Sequence, residues 1–146
     1  MKKLTFIYAI VFVLLFFSRS YSFDLKINGV YRDSSCRISV SITNSGNEDV
    51  PFEDFLNLRL EVKGYLFCKD KKPNIFSETI DRFSSFLKLP KYKTTISTNI
   101  YLDTSGDCSG YATAKIYSGA EILKDDNLKN NSYRKDFNTS CDIIVF

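Results

Sequence analysis

From Cys36 to Thr43 apolar and polar residues alternate without a break, and the alternation stops in Asn44-Ser45-Gly46-Asn47. Cys36, Ile38, Val40 and Ile42 fall on one face, and Arg37, Ser39, Ser41 and Thr43 on the other. A period of two belongs to a β-strand with one face on a core. Asn44 and Gly46 suit the turn that ends it. An asparagine amide can bond the backbone of its own turn, and glycine adopts positive φ without strain. One such strand is not stable alone, so the rest of the chain must supply strands to cover it.

Those strands can be read in order. Phe23, Leu25 and Ile27 alternate with Asp24, Lys26 and Asn28 and reach Gly29, where the first strand should end. Pro51 keeps its neighbourhood out of a central strand. Leu56 to Cys68 alternates again, with Gly64 a candidate bulge. Tyr92 to Leu102 is a long alternating run rich in β-branched residues, and Tyr111 to Tyr117 would bury Ala112, Ala114 and Ile116. Tyr133 to Phe146 supplies the last strand or strands. The segment 74–89 fits two patterns. Phe76, Ile80, Phe83 and Leu87 share a helix face, while Phe83, Ser85, Leu87 and Leu89 are in phase for a strand. About seven short strands separated by turn residues predict an all-β sandwich.

The first 22 residues stand apart. Lys2 and Lys3 precede an apolar run to Phe17, broken by Thr5 alone, and Ser20-Tyr21-Ser22 places small residues where a signal peptidase reads. The run is shorter than the roughly 20 residues of a membrane span. Cleavage after Ser22 is expected, leaving residues 23–146 as one exported domain with no membrane insertion of the mature chain. Loss of Lys2, Lys3 and Arg19 leaves 17 basic groups against 17 acidic ones, so electrostatics gives no reason to expect nucleic acid.

A resemblance joins two distant stretches. Cys36 to Gly46 has the form C-x-I-x-V-x-I-x-N-x-G. Ala114-Lys115-Ile116-Tyr117 is followed, after a gap, by Asp126-Asn127-Leu128-Lys129-Asn130-Asn131-Ser132-Tyr133. Together these resemble the CARDB family, bacterial immunoglobulin-like domains linked to cell adhesion. The resemblance spans about 100 residues of short, turn-like motifs. Leu89-Pro90-Lys91 stands where the family usually has a Pro-Gly turn, and aspartate or leucine, depending on register, replaces the family's glutamate ahead of the Asn-Asn pair. It implies an immunoglobulin-like sandwich in which Asn44, Gly46, Asn130 and Asn131 serve turns.

All four cysteines, Cys36, Cys68, Cys108 and Cys141, follow the leader, and an even count in an exported chain predicts two disulfides. Their spacing lacks the close pairs of a zinc knuckle. An immunoglobulin-like strand order would gather all four at one end of the sandwich. Of the three possible pairings it favours Cys36–Cys108 and Cys68–Cys141, the first tying one sheet to the other.

The chain has no histidine, which removes the commonest general base and metal ligand. Glu48, Asp49, Glu53, Asp54, Glu61, Glu78 and Glu121 could in principle pair for glycoside hydrolysis, but they fall where solvated surface charge is expected. Asp125, Asp126 and Asn127, with Asp103 or Asp107, offer oxygen ligands for calcium without the order of an EF-hand, and a structural turn is the preferred reading. No enzyme, cofactor or metal is therefore predicted. Phe52 and Phe55, flanking an acidic pair, and Tyr111 and Tyr117, on an outer strand face, are the candidate interaction residues. The expected function is a non-enzymatic module binding a protein or glycan at the cell envelope. The alternative is an inhibitor or accessory subunit of a secreted enzyme acting through 74–89.

Overall fold

The computed structural model describes residues 23–33, 35–69, 71–81, 83, 85–102, 108–119, 125 and 127–138. The expected leader, Cys141, Asp103, Asp107, Asp126 and Glu121 lie outside them. Seven strands are present: β1 (Leu25–Arg32), β2 (Arg37–Asn44), β3 (Leu58–Cys68), β4 (Asn74–Asp81), β5 (Lys93–Tyr101), β6 (Cys108–Ser118) and β7 (Ser132–Asn138). They form two antiparallel sheets, ordered β1-β2-β5 and β4-β3-β6-β7. Ile38, Val40 and Ile42 from β2 join Leu58, Leu60 and Val62 from β3 and Ala112, Ala114 and Ile116 from β6 in one shared core. Burying a side chain such as Leu60 contributes about 2 kcal/mol.

The opening strand is more enclosed than its pattern predicts. Ser39 and Ser41, on the polar face of β2, are buried as well. Tyr31 pairs with Ser39, yet its hydroxyl donates to Thr95 Oγ1 at 3.0 Å, on the strand beyond. Its ring therefore crosses β2 and covers the serines. Ser39 meets Ser97 hydroxyl to hydroxyl at 3.3 Å.

Several boundaries differ from expectation. β1 continues through Gly29 to Arg32 because the irregularity between Ile27 and Gly29 absorbs the break without ending the pairing. Leu56 is not in β3. It lies in a short helix, α1 (Phe52–Asn57), which Pro51 precedes and whose first turn carries Glu53 and Asp54, the charge sign a helix N-terminus favours. The ambiguous segment splits: Asn74–Asp81 is edge strand β4, and Ser85–Lys88 is a 3₁₀ turn. Neither reading holds where it was drawn: Phe76 and Ile80, two of the four expected helix-face residues, lie in a strand, and the expected strand from Phe83 to Leu89 contains the 3₁₀ turn. Phe76 faces the core from β4, and Leu87 plugs it from the turn.

Gly64 makes no bulge, since β3 keeps its register with both neighbours across it. A Cβ there would touch the Tyr111 carbonyl oxygen and lie 2.5 Å from Phe76 Cζ. Glycine is needed because the Phe76 ring packs over the bare backbone. Gly64→Ala is expected to cost about 2 kcal/mol in urea unfolding. Adding Phe76→Leu should recover only part of that, because the carbonyl contact stays.

The favoured disulfide pairing is overturned. Cys68 is bonded to Cys108, so neither Cys36–Cys108 nor Cys68–Cys141 can form. The earlier pairing assumed a bond between sheets, whereas β3 and β6 are neighbours in one sheet, with Cys68 directly opposite Cys108 and their Cα atoms 4.0 Å apart. That is the close, non-hydrogen-bonded kind of cross-strand position, which brings two Cβ atoms within disulfide reach. Cys36 is also disulfide-bonded. It sits in the turn before β2 at φ 60°, and not on the strand. Asp33 holds that turn by accepting from the Ser35 and Arg37 backbone N–H groups and from Arg37 Nε. Desolvation pushes the Asp33 carboxyl upward, but these hydrogen bonds outweigh it and hold the group below its usual range. The support they give the turn is present above the unfolded pKa and is lost as pH falls through the folded one. The three described cysteines lie at one end of the sandwich, where β2 and β6 begin and β3 ends.

Between the sheets on the β4–β5 side, Glu78 closes an edge. Its carboxylate accepts from the Asn99 backbone N–H at 2.7 Å and from Asn99 Nδ2 at 2.9 Å. An unpaired N–H on an edge strand is a template for another chain. Glu78→Ala should leave stability within about 1 kcal/mol and accelerate hydrogen exchange at the Asn99 amide.

Candidate interaction surface

The end opposite the cysteines is organised by Asn44. Its side chain is wholly buried and uses both of its poles. Oδ1 accepts from the Asp24 and Gly46 backbone N–H groups at 3.3 and 3.1 Å, and Nδ2 donates to the Glu48 and Lys88 carbonyls at 3.2 and 3.1 Å. Its own backbone pairs with Tyr92 and Lys91. The turn asparagine is thus the point where β1, the 45–50 loop and the 85–92 segment meet.

Segment 85–92 is held from both sides. Leu87 fills the core, the Lys88 carbonyl accepts from the Val50 N–H, and Lys91 takes φ 58° to turn the chain into β5. With Leu87 pointing inward, Phe86 and Leu89 face out, and α1 divides in the same way. Phe55 is buried, while Phe52 and Leu56 are exposed. Lys88 joins the two pieces, its ammonium 5.0 Å from the Phe52 ring centre and 5.7 Å from that of Phe55. The Phe86 and Tyr92 rings stack at 5.6 Å. Phe52, Leu56, Phe86, Leu89 and Tyr92 thus form an apolar patch on this end, with Phe52 62 % and Phe86 60 % exposed. Glu53 and Asp54 border it on the α1 side, and Lys91 and Lys93 on the β5 side.

The structure divides the four candidate interaction residues. Phe52 is in this patch. Phe55 is not a surface residue: a six-residue helix lying on the core must turn one aromatic inward, and Phe55 is that one. Tyr111 and Tyr117 lie half-buried on the outer face of the four-stranded sheet. There Tyr111 stacks with Tyr65 across the strands at 6.5 Å, and the Arg134 guanidinium covers the Tyr111 ring at 4.0 Å. Asp136 fixes Arg134 through two hydrogen bonds, at 3.1 and 3.0 Å. Phe67 and Ile75 are exposed near Tyr65, making a second aromatic surface.

Phe86, Leu89 and Tyr92 escape sequence reasoning because their neighbours Leu87 and Ile96 already account for the inward positions. The surplus of apolar residues from Phe83 to Tyr92 was the available signal. Asn130 and Asn131 fall in a 3₁₀ turn, Leu128–Asn131, leading directly into β7. Among the described residues no three histidine, cysteine or carboxylate side chains converge as metal ligands, and no helix is long and apolar enough to cross a membrane. No family model matches the chain, and no curated protein or solved structure matches it either.

Proposed function

We propose that the mature chain is an exported, non-enzymatic binding module that holds a partner protein through the Phe52–Phe86 patch. The observation that carries this reading is the concentration of five large apolar side chains, from two separate segments, on one end of the sandwich. A soluble monomer rarely leaves such a group uncovered. The segment expected to serve an inhibitor or accessory role contributes Phe86 and Leu89 to the same surface, so the two functional readings differ in the partner and not in the site.

The strand order β1-β2-β5 over β4-β3-β6-β7 supports an immunoglobulin-like sandwich, and we propose the CARDB-like family on the sequence motifs alone. A second disulfide completes that picture. With Cys68 and Cys108 joined, Cys141 is the one intramolecular partner left for Cys36. Peptide mapping of the non-reduced protein is expected to recover the Cys36–Cys141 link, and an intermolecular link at Cys36 would contradict it.

A photo-crosslinking residue at position 86 should capture a discrete partner from the native envelope fraction, and one at position 115, on the outer sheet face, should not. The Phe52→Ser/Phe86→Ser double variant should fold normally and fail to compete for that partner. Equal capture from both positions would remove the patch as the site. A second reading rests on the Tyr65–Tyr111 pair with Arg134: a glycan could stack its C–H face on such rings while the charged groups bond its hydroxyls. Loss of glycan binding in Tyr65→Ala, with Phe86→Ser unaffected, would favour it.

A further inference from the structure

The geometry points to a site for a hard divalent cation, calcium by its chemistry, built by Asp24, Asp125, Asn130 and Asn131 where the chain turns into β7 beside the start of β1. The sequence places Asp24 a hundred residues from the other three, and the fold brings them together. Asp125 Oδ2 accepts from the Leu25 backbone N–H at 2.8 Å, and Oδ1 accepts from that of Asn127 at 2.8 Å. Asn130 Nδ2 donates to Asp24 Oδ1 at 2.8 Å. Burial pushes the Asp125 carboxyl above its usual range, and the neighbouring Asp24 charge adds to that, while backbone hydrogen bonds from Asn127 and Leu25 and the approach of the Asn131 side chain oppose it.

A second observation is independent of the carboxylates. Asn131 is 2 % exposed, and neither end of its amide makes a full hydrogen bond among the described residues, although it leans on Asp125 closely enough to favour the charged carboxylate. The Asn130 Oδ1 is likewise sealed from solvent with no donor. Two buried amide oxygens without donors, on Asn130 and Asn131, are destabilising, and a bound cation would satisfy both. None of the described lysines or arginines forms an ion pair with Asp24 or Asp125. Among the described residues the cluster is therefore rich in oxygen acceptors and holds no ion-paired cation. Calcium accepts carboxylate and amide oxygens in irregular geometry, whereas magnesium demands a near-ideal octahedron. Two carboxylates place the affinity in the range of weak extracellular sites, roughly 10⁻⁴–10⁻³ M. This ligand set differs from the one the loop sequence suggested: it takes Asp24 and the Asn-Asn pair in place of Asp126, Asp103 and Asp107.

The competing occupant is a buried water, and the test separates the two. The mature protein is stripped with a chelator and titrated with calcium chloride by calorimetry and thermal melting. A one-site heat and a rise in Tm of about 5 °C at roughly ten times the dissociation constant are expected. Sodium chloride of matched ionic strength should give no rise, and magnesium a smaller one. Asn131→Leu is the deciding variant. It removes the orphaned amide while keeping its branched outline, so the calcium-free protein should melt close to the wild type and the calcium response should vanish. Asn130→Ala keeps the fold and should weaken calcium about tenfold. If calcium gives neither heat nor a shift beyond matched salt in folded wild-type protein, or if Asn131→Leu responds like wild type, the site is a water pocket and the inference fails.

Discussion

Replacing Cys68 and Cys108 together by serine should lower the melting temperature by roughly 15 °C, at about 4 °C for each kcal/mol in a domain of this size. The bond closes a loop with a sequence separation of 40, and on the chain-entropy account its removal frees about 4 kcal/mol of disorder in the unfolded state. Both cysteines must be changed at once, because a single substitution leaves a thiol that can mispair with Cys36 or Cys141. The hydroxyls also lose solvent, since both positions are buried, which adds to the loss. Melting of wild type and variant under oxidising conditions gives the comparison. A difference of only a few degrees would mean that β3 and β6 are held in register without the bond.

The second large effect is expected at Asn44. Asn44→Ala removes four hydrogen bonds and strands the Asp24 and Gly46 N–H groups and the Glu48 and Lys88 carbonyls at a site closed to water. A loss of about 3–5 kcal/mol follows from leaving buried groups unsatisfied. The isosteric N44D tests the mechanism. Its carboxylate still accepts from the two N–H groups, but it meets the two carbonyls with negative charge where a donor is required. The substituted group would be held protonated in the folded state, its pKa raised above the unfolded value. Its penalty is then absent below the unfolded pKa and grows as pH rises toward the folded one. Urea unfolding of N44D should accordingly approach wild-type stability on acidification, while Asn44→Ala should show no such recovery. Parallel pH profiles for the two variants would refute the donor argument.

The inner faces of the sheets were legible because period-two alternation is a local property. Ile38, Val40 and Ile42, and Ala112, Ala114 and Ile116, are buried as their phase predicts. Where local signals were too short, the reading failed. A six-residue helix has too few turns to show its period, and Leu56 happens to stay in phase with the strand that follows. Pairing of the cysteines depends on which strands are neighbours, and Cys68 meets Cys108 because β6 inserts beside β3, a fact of topology that spacing does not contain. The same holds for the surfaces. That Asn44 and Gly46 belong to a turn can be read from residue type, but the partners of Asn44 come from three other stretches of chain. Phe52 was found because it lies beside acids in a loop, and Phe86 was missed because its exposure follows from Leu87 taking the inward position.

The bond from Asn44 to the Asp24 N–H also fixes where the polypeptide enters the sandwich. Phe23 is buried at the end that carries Phe52 and Phe86. An affinity tag or reporter domain fused directly ahead of Phe23 is therefore attached at the apolar end, away from the cysteines. A tag placed there would shade the patch and mimic a defective partner interaction in a fully folded molecule. The direction of attachment is therefore itself a variable in any binding measurement on this protein.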